Sequence, residues 1–242
     1  MNVTDAKSIL ADMQTLGTEQ ARKTYQRHGV GDKVFGVSYA DLGKFQKKRK
    51  TNHAIALDLW TSGFHDAQVL ACMIADPQQA DAVLLEQWVK TLSNYVITDA
   101  FSGYVAKSPL AKAKAEAWIK SDKEWMSSAG WNIVGSLAKN DTSLTDAWFA
   151  ARLITIERDL QTSKNRTRHT MNNTLIAIGA RNPPLQVKAL AAAKRIGKVV
   201  VDHGLTNCKT RDAVASLQRD GDSKTKYSDS APRKPAKSRV NE

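Results

Sequence analysis

The sequence predicts an all-α domain of stacked helix pairs, and three observations lead there. Helix-start residues recur at short intervals, apolar residues repeat at helical spacing, and no run makes a dependable strand. The 242 residues are 42% apolar and include six Trp, which is material for one continuous core.

Taken in order, Thr4 is placed to cap a helix ending near Gly17, and Thr18 one ending near Gly29. VFGVSY is the best strand candidate, isolated enough to read as a connector. Ser38 opens a helix through Lys50, and Asn52 opens another that Ser62-Gly63 stops. His65 to Ala75 follows, and Asp76-Pro77 supplies an N-cap with proline at the first helical position. Leu84, Leu85, Trp88, Val89 and Leu92 then share one helical face, and Asn94 to Ala106 reads as the next helix. Ser108-Pro109 repeats the cap-and-proline pattern, while Ser121 and Glu124 have the spacing of a capping box. Ser143 and Asp146 repeat that box more weakly. Residues 164–180 form a further helix, and Asn182-Pro183-Pro184 breaks the chain before a last one.

Eleven or twelve helices joined by short turns fit a HEAT-like helical repeat solenoid, an α-α superhelix in which each repeat holds a helix pair. Residues 1–218 make this array. Residues 219–242 are rich in Lys, Arg, Ser, Asp and Pro and poor in large apolar side chains, so they read as a disordered basic tail.

Net charge is +12, and the tail holds seven basic and four acidic residues, so nine excess positive charges belong to the body. A cationic body favours polyanions through phosphate neutralisation and counterion release. The basic residues cluster. Lys44, Lys47, Lys48, Arg49 and Lys50 run up to His53; Lys164, Arg166 and Arg168 form a second set; Lys188, Lys194, Arg195 and Lys198 form a third. Such groups near helix ends reach phosphates without reading bases, and a solvated face is the alternative for each.

No apolar run is long enough to span a membrane, and MNVTDAKSIL lacks the basic and apolar regions of a signal peptide. Cys72 sits in the apolar run VLACMIA and Cys208 is far from it, which suits a reducing cytoplasm rather than a disulfide framework. Glycine-rich phosphate loops, nucleophile elbows and paired-cysteine metal motifs are missing. Asp202, His203 and Cys208 do not make a zinc pattern. Their segment instead reads as a tie from the last helix back onto the array, so neither metal nor cofactor is expected.

Three stretches carry a family resemblance. KTNHAIALDLWTSGFHDAQVLACMIADP, EQWVKTLSNYVITDAFSGYVAKSPLAKAKAEAW and RTRHTMNNTLIAIGARNPPLQVKALAAAKRIGKV together resemble the AlkD-type DNA alkylation repair family over roughly residues 30–200. The shared pattern is the spacing of LW-SG-H-A, the WV pair, the aromatic-x-x-x-Asp and the IG-RN. The resemblance implies a HEAT-like array gripping duplex DNA on its concave face. It also implies hydrolysis of the N-glycosidic bond of cationic N3- and N7-alkylated purines. Such bases leave readily because departure neutralises them, and the enzyme's task is to stabilise the oxocarbenium sugar and position water.

The family's carboxylate falls on Asp99, with Tyr95 one turn earlier where Trp is usual. Asp99 is thus the catalytic candidate and Tyr95 the residue against the lesion. Ser127-Ser128 replace an Arg pair, and Asn173 and Ile176 replace an aromatic and an Arg. Asn173 is the substrate contact left at that position. Trp131 is the candidate to restore the aromatic surface, with core packing as its alternative. Phosphate contacts fall to Lys47, Lys48, Arg49, Lys50, His53, Arg166, Arg168, Lys194 and Arg195. The expected protein is a cytoplasmic, nucleoid-associated monomer on double-stranded DNA. It is either a glycosylase or a non-catalytic binder of bent, branched or damaged DNA.

Overall fold

The computed structural model describes residues 6–219, and Thr4 and the tail beyond Arg219 lie outside that range. Twelve α-helices run in order among the described residues. They are α1 (Ala6–Leu16), α2 (Glu19–Arg27), α3 (Tyr39–Arg49), α4 (His53–Thr61), α5 (His65–Ile74) and α6 (Ala82–Val89). Then come α7 (Tyr95–Val105), α8 (Ala111–Trp118), α9 (Glu124–Asn140), α10 (Asp146–Asp159), α11 (Asn165–Gly179) and α12 (Pro183–Ile196). A last helical stretch covers residues 213–219, so Arg219 belongs to a helix.

These helices form two layers. Each of α3, α5, α7, α9 and α11 packs on the next, making an inner layer, while α4, α6, α8, α10 and α12 lie outside it. This is the all-α, HEAT-like solenoid that helix spacing predicts. VFGVSY is a connector, and the buried Asp66 carboxylate pins it by accepting from the Phe35 and Gly36 amides at 2.6 and 3.1 Å.

Thr18, Ser38, Asn52, Asn94 and Asn182 cap helices with their side chains as expected. Four starts differ. Asp76-Pro77 opens only a 3-10 turn, and Asp81 caps α6 instead, accepting from Val83 and Leu84. Ser108 turns its hydroxyl back to the Val105 carbonyl, 2.8 Å away, and α8 starts after it. Ser121 caps a turn by accepting from the Lys123 amide, and Glu124 serves another helix altogether. Thr145, not Ser143, caps α10. A hydroxyl beside a helix start has several backbone groups within reach, and spacing alone does not choose among them.

An aromatic column binds the middle of the array. Trp60 and Trp88 stack at 4.0 Å and 1°, and Phe101 bridges toward Trp118. From α6 onward a carboxylate links each outer helix to the next. Glu86 of α6 accepts from Lys114 and Trp118 of α8 at 2.8 and 2.9 Å. Glu116 of α8 accepts from Trp148 and Arg152 of α10 at 2.6 and 2.9 Å, and Glu157 of α10 holds Arg195 of α12. The two layers meet closely through a small residue. A Cβ on Gly130 would stand 2.7 Å from the Ile119 nitrogen and 2.9 Å from the Trp118 carbonyl carbon.

Two outcomes follow for stability. Gly130→Ala forces backbone apart and is expected to cost about 1–3 kcal/mol. Gly43→Ala, in α3 with open space around it, should gain about 0.5–1 kcal/mol; urea unfolding measures both. Burial pushes His65 down to about 4 from an ordinary 6.5. Between those values the unfolded chain takes up a proton that the folded ring refuses, so stability falls as pH drops through this window. The slope from this residue is at most about 1.4 kcal/mol per pH unit. His65→Gln should show a shallower loss of urea midpoint over the same range.

Candidate functional site

Inner-layer helices present one stripe each to a shared cleft. On α7 it is Tyr95, Asp99 and Ser102; on α9 it is Asn132, Ser136 and Lys139; on α11 it is His169, Asn173 and Ile176. The spacing of four then three residues is one face of a helix. The cleft has two chambers, of about 660 and 640 Å³, and Asp99 lines both.

Asn94 caps α7 by accepting from the Ile97 amide at 3.1 Å, which fixes where Tyr95 and Asp99 stand. Asp99 Oδ1 accepts from Asn132 Nδ2 at 2.7 Å. The carboxylate is reached by water yet has protein on most sides. Desolvation raises its pKa above the usual carboxylate value, against the opposing pull of Asn132 and Arg166.

Tyr95 is held from two directions. Its hydroxyl hydrogen-bonds His28 Nδ1, and the Arg166 guanidinium lies over its ring at 4.1 Å. Arg166 is steered there by Glu124, whose carboxylate accepts from the Arg166 amide at 2.6 Å. That bond places an acidic group at the start of α11, where a helix dipole favours one. Across the cleft, Asn173 Nδ2 meets His169 Nε2 at 3.0 Å. Burial, Arg166 and His203 together push His169 down to about 4, so the ring is neutral and accepts.

The predicted residues separate into those that meet here and those that do not. Asp99, Tyr95 and Asn173 share the cleft, and Arg166 joins them as a cation against Tyr95. Trp131 does not: it is 1% exposed in the core, and its carbonyl accepts from Thr174. Its ring is packed in the core while the next residue, Asn132, lines the cleft, so the ring does not meet a substrate there. Ser127 and Ser128 are buried as well, and Ile176, also buried, lies in the cleft wall.

Arg168 donates to the Val200 and Ser163 carbonyls and ties the segment after α12 onto α11. Asn165 bonds Asp202, and the His169 and His203 rings meet edge to face, completing that tie. The segment reaches further than expected, because Leu205 and Cys208 line one cavity with Arg27 and His28 of the N-terminal end. Arg195 is paired with Glu157, while Lys194 stands exposed at the end of α12. Lys47, Lys48 and Lys50 are exposed, with Arg49 and His53 half-buried, at the end of α3. About 15 Å of helix separates them from Tyr39 at its cleft end. Among the described residues no three His, Cys, Asp or Glu side chains gather as a metal-ligand set.

Sequence reasoning missed His28, Asn132 and His169. The last two carried a signal, since Asn132-Ser136-Lys139 and His169-Asn173-Ile176 repeat the spacing of Tyr95-Asp99-Ser102. His28 lies in a turn and had none.

Residues 9–217 match the DNA alkylation repair enzyme family. An uncharacterized protein of Listeria innocua is 31% identical over 216 residues, which is 86% of this chain and 93% of the relative. One of Listeria monocytogenes is 30% identical over 220 residues, with the same shares. A solved structure, described as a new family of proteins related to the HEAT-like repeat DNA glycosylases with affinity for branched DNA structures, superposes with a TM-score of 0.83. It is 29% identical and covers 91% of this chain and 95% of its own. The chain belongs to the DNA alkylation repair enzyme family.

Proposed function

We propose that this protein binds branched or otherwise distorted double-stranded DNA, as a monomer and without excising bases. One observation carries the reading: the Tyr95 ring face, which a cationic alkylpurine or its sugar would need, is already covered by Arg166 at 4.1 Å. A second cation brought to that face is repelled. Trp131 is in the core and Asn173 is polar, so neither supplies a substitute face. The solved relative described as having affinity for branched DNA supports the same conclusion. Arg166 and Lys139 at the cleft and the Lys47–Lys50 group at the far end of α3 give two separated cationic surfaces, suited to two arms of a branch.

A four-way junction should bind more tightly than linear duplex of equal length in a fluorescence anisotropy titration. Neutralising Lys47, Lys48 and Arg49 to Gln should weaken binding and lower the slope of log K against log salt by about 0.9 for each phosphate that is no longer neutralised. Unchanged affinity and slope would count decisively against the reading.

A second reading keeps the glycosylase. It is favoured by Asp99, whose carboxylate is open to the cleft and is positioned by Asn132. There it would stabilise an oxocarbenium sugar by charge and hold water. It predicts release of N7-methylguanine or N3-methyladenine from alkylated DNA, and loss of that release in Asp99→Asn. The binding reading predicts no release above that variant.

A further inference from the structure

Tyr39, the first residue of α3, carries a large ring that is 51% exposed, although it stands inside the cleft rather than on the convex surface. It walls the chamber of about 640 Å³ that lies between α2, the start of α3 and α7. Its other walls include Thr24, Tyr25, His28 and Tyr95, and Asp99 lies at its floor. Tyr39 and Asp99 are near enough that the carboxylate, after burial, helps push the phenol up to about 12. Just outside it, the exposed Arg27 guanidinium bonds Thr24 Oγ1 at 3.2 Å. An open aromatic face and an acceptor therefore line one cavity, with a cation bonded to one of its walls.

The hydrogen-bonding chemistry of this cavity is one-sided. An ionised carboxylate only accepts, and its two oxygens offer about four lone-pair positions. Asn132 takes one of these on Oδ1. What remains suits a partner with two adjacent N–H donors. Among the bases only guanine offers that pair, an imino and an amino group side by side on its pairing edge. Adenine and cytosine set a ring-nitrogen acceptor beside the amino group, which faces a carboxylate unfavourably. Thymine sets its one N–H between two carbonyls. Stacking on an aromatic ring tolerates any base, so it supplies affinity and the carboxylate supplies the choice.

We propose that the Tyr39–Asp99 chamber takes an unstacked guanine from the branch point, with its ring on Tyr39 and its imino and amino donors on Asp99. This rests on the branched-DNA reading above. A base at a branch is already partly unstacked, so drawing it out costs less than from continuous duplex. Arg27 just outside the chamber then meets the phosphate of the same nucleotide. The other chamber, lined by Asn132, Lys139, His169 and Asn173, has polar walls and no exposed ring, and it tracks backbone instead.

The test uses the full chain and three-way junctions that are either fully paired or carry one unpaired dG, dA, dC or dT at the branch. The dG junction should bind about tenfold more tightly than the fully paired one, from one base stacked on one ring, and more tightly than the other three. Tyr39→Leu should abolish that gain, bringing its dG junction down to its own affinity for the fully paired one, and Tyr39→Phe should keep it. Asp99→Asn should erase the preference for dG over dA. Equal binding of all four unpaired bases, or a Tyr39→Leu protein that still gains from dG, overturns the guanine site and leaves junction binding standing. Failure of the wild-type chain to bind any junction overturns the branched-DNA reading and this site with it.

Discussion

At Gly130 the backbone of α9 touches the end of α8, and at Gly135 Thr174 of α11 fills the space a side chain would take. This close seating of α9 governs the inner layer. Thr174 uses the intimacy to donate its hydroxyl to the Trp131 carbonyl at 2.7 Å, and Ser128 meets Thr167 nearby. The outer layer is built differently. There Glu86, Glu116 and Glu157 join neighbouring helices through long Lys, Arg and Trp side chains. Small residues thus seat α9 on both α8 and α11, while long side chains join the outer helices α6, α8, α10 and α12.

The electrostatics of the cleft follow from the same seating. Glu124 begins α9 and reaches the first turn of α11, so the distance between these helices decides where Arg166 stands. Arg166 in turn lies over Tyr95, helps hold the Asp99 carboxylate ionised against its desolvation, and keeps His169 neutral. Desolvation also works on Arg166 itself, and Asp99 and Tyr95 oppose it. These groups form one mutually dependent set, so a change to Glu124 would be felt at Asp99 on another helix.

Helices, layer count and the cleft carboxylate were legible in the sequence because each leaves a local trace. Caps at Thr18, Ser38, Asn52, Asn94 and Asn182 act on amides three residues away. Asp99 and Tyr95 are one turn apart on one helix, so their adjacency needs no tertiary knowledge. The misreadings concern groups whose partners are distant. Glu124 looks like half of a capping box but bonds a residue in α11. Trp131 and Asn132 are consecutive, and only the packing of α9 against α11 decides which enters the cleft. Arg168 looks like a phosphate ligand yet is consumed by the carbonyls of a returning segment.

A carboxylate at the floor of a DNA-binding cleft needs a reason, because it repels phosphate. In a glycosylase the reason is the cation that forms on the sugar. On the binding reading proposed above, in which Arg166 covers the neighbouring ring, the carboxylate has a different effect on what the cleft admits. On that reading repulsion would keep the backbone away from the floor, while Arg166, Lys139 and Arg27 would draw it to the cleft's edges. Strands so guided would direct their bases inward, toward an acceptor that rewards N–H groups and excludes oxygen. On the proposed reading, one contact, Arg166 over Tyr95, both takes a ring face from a cationic base and leaves the Asp99 carboxylate to an unpaired one.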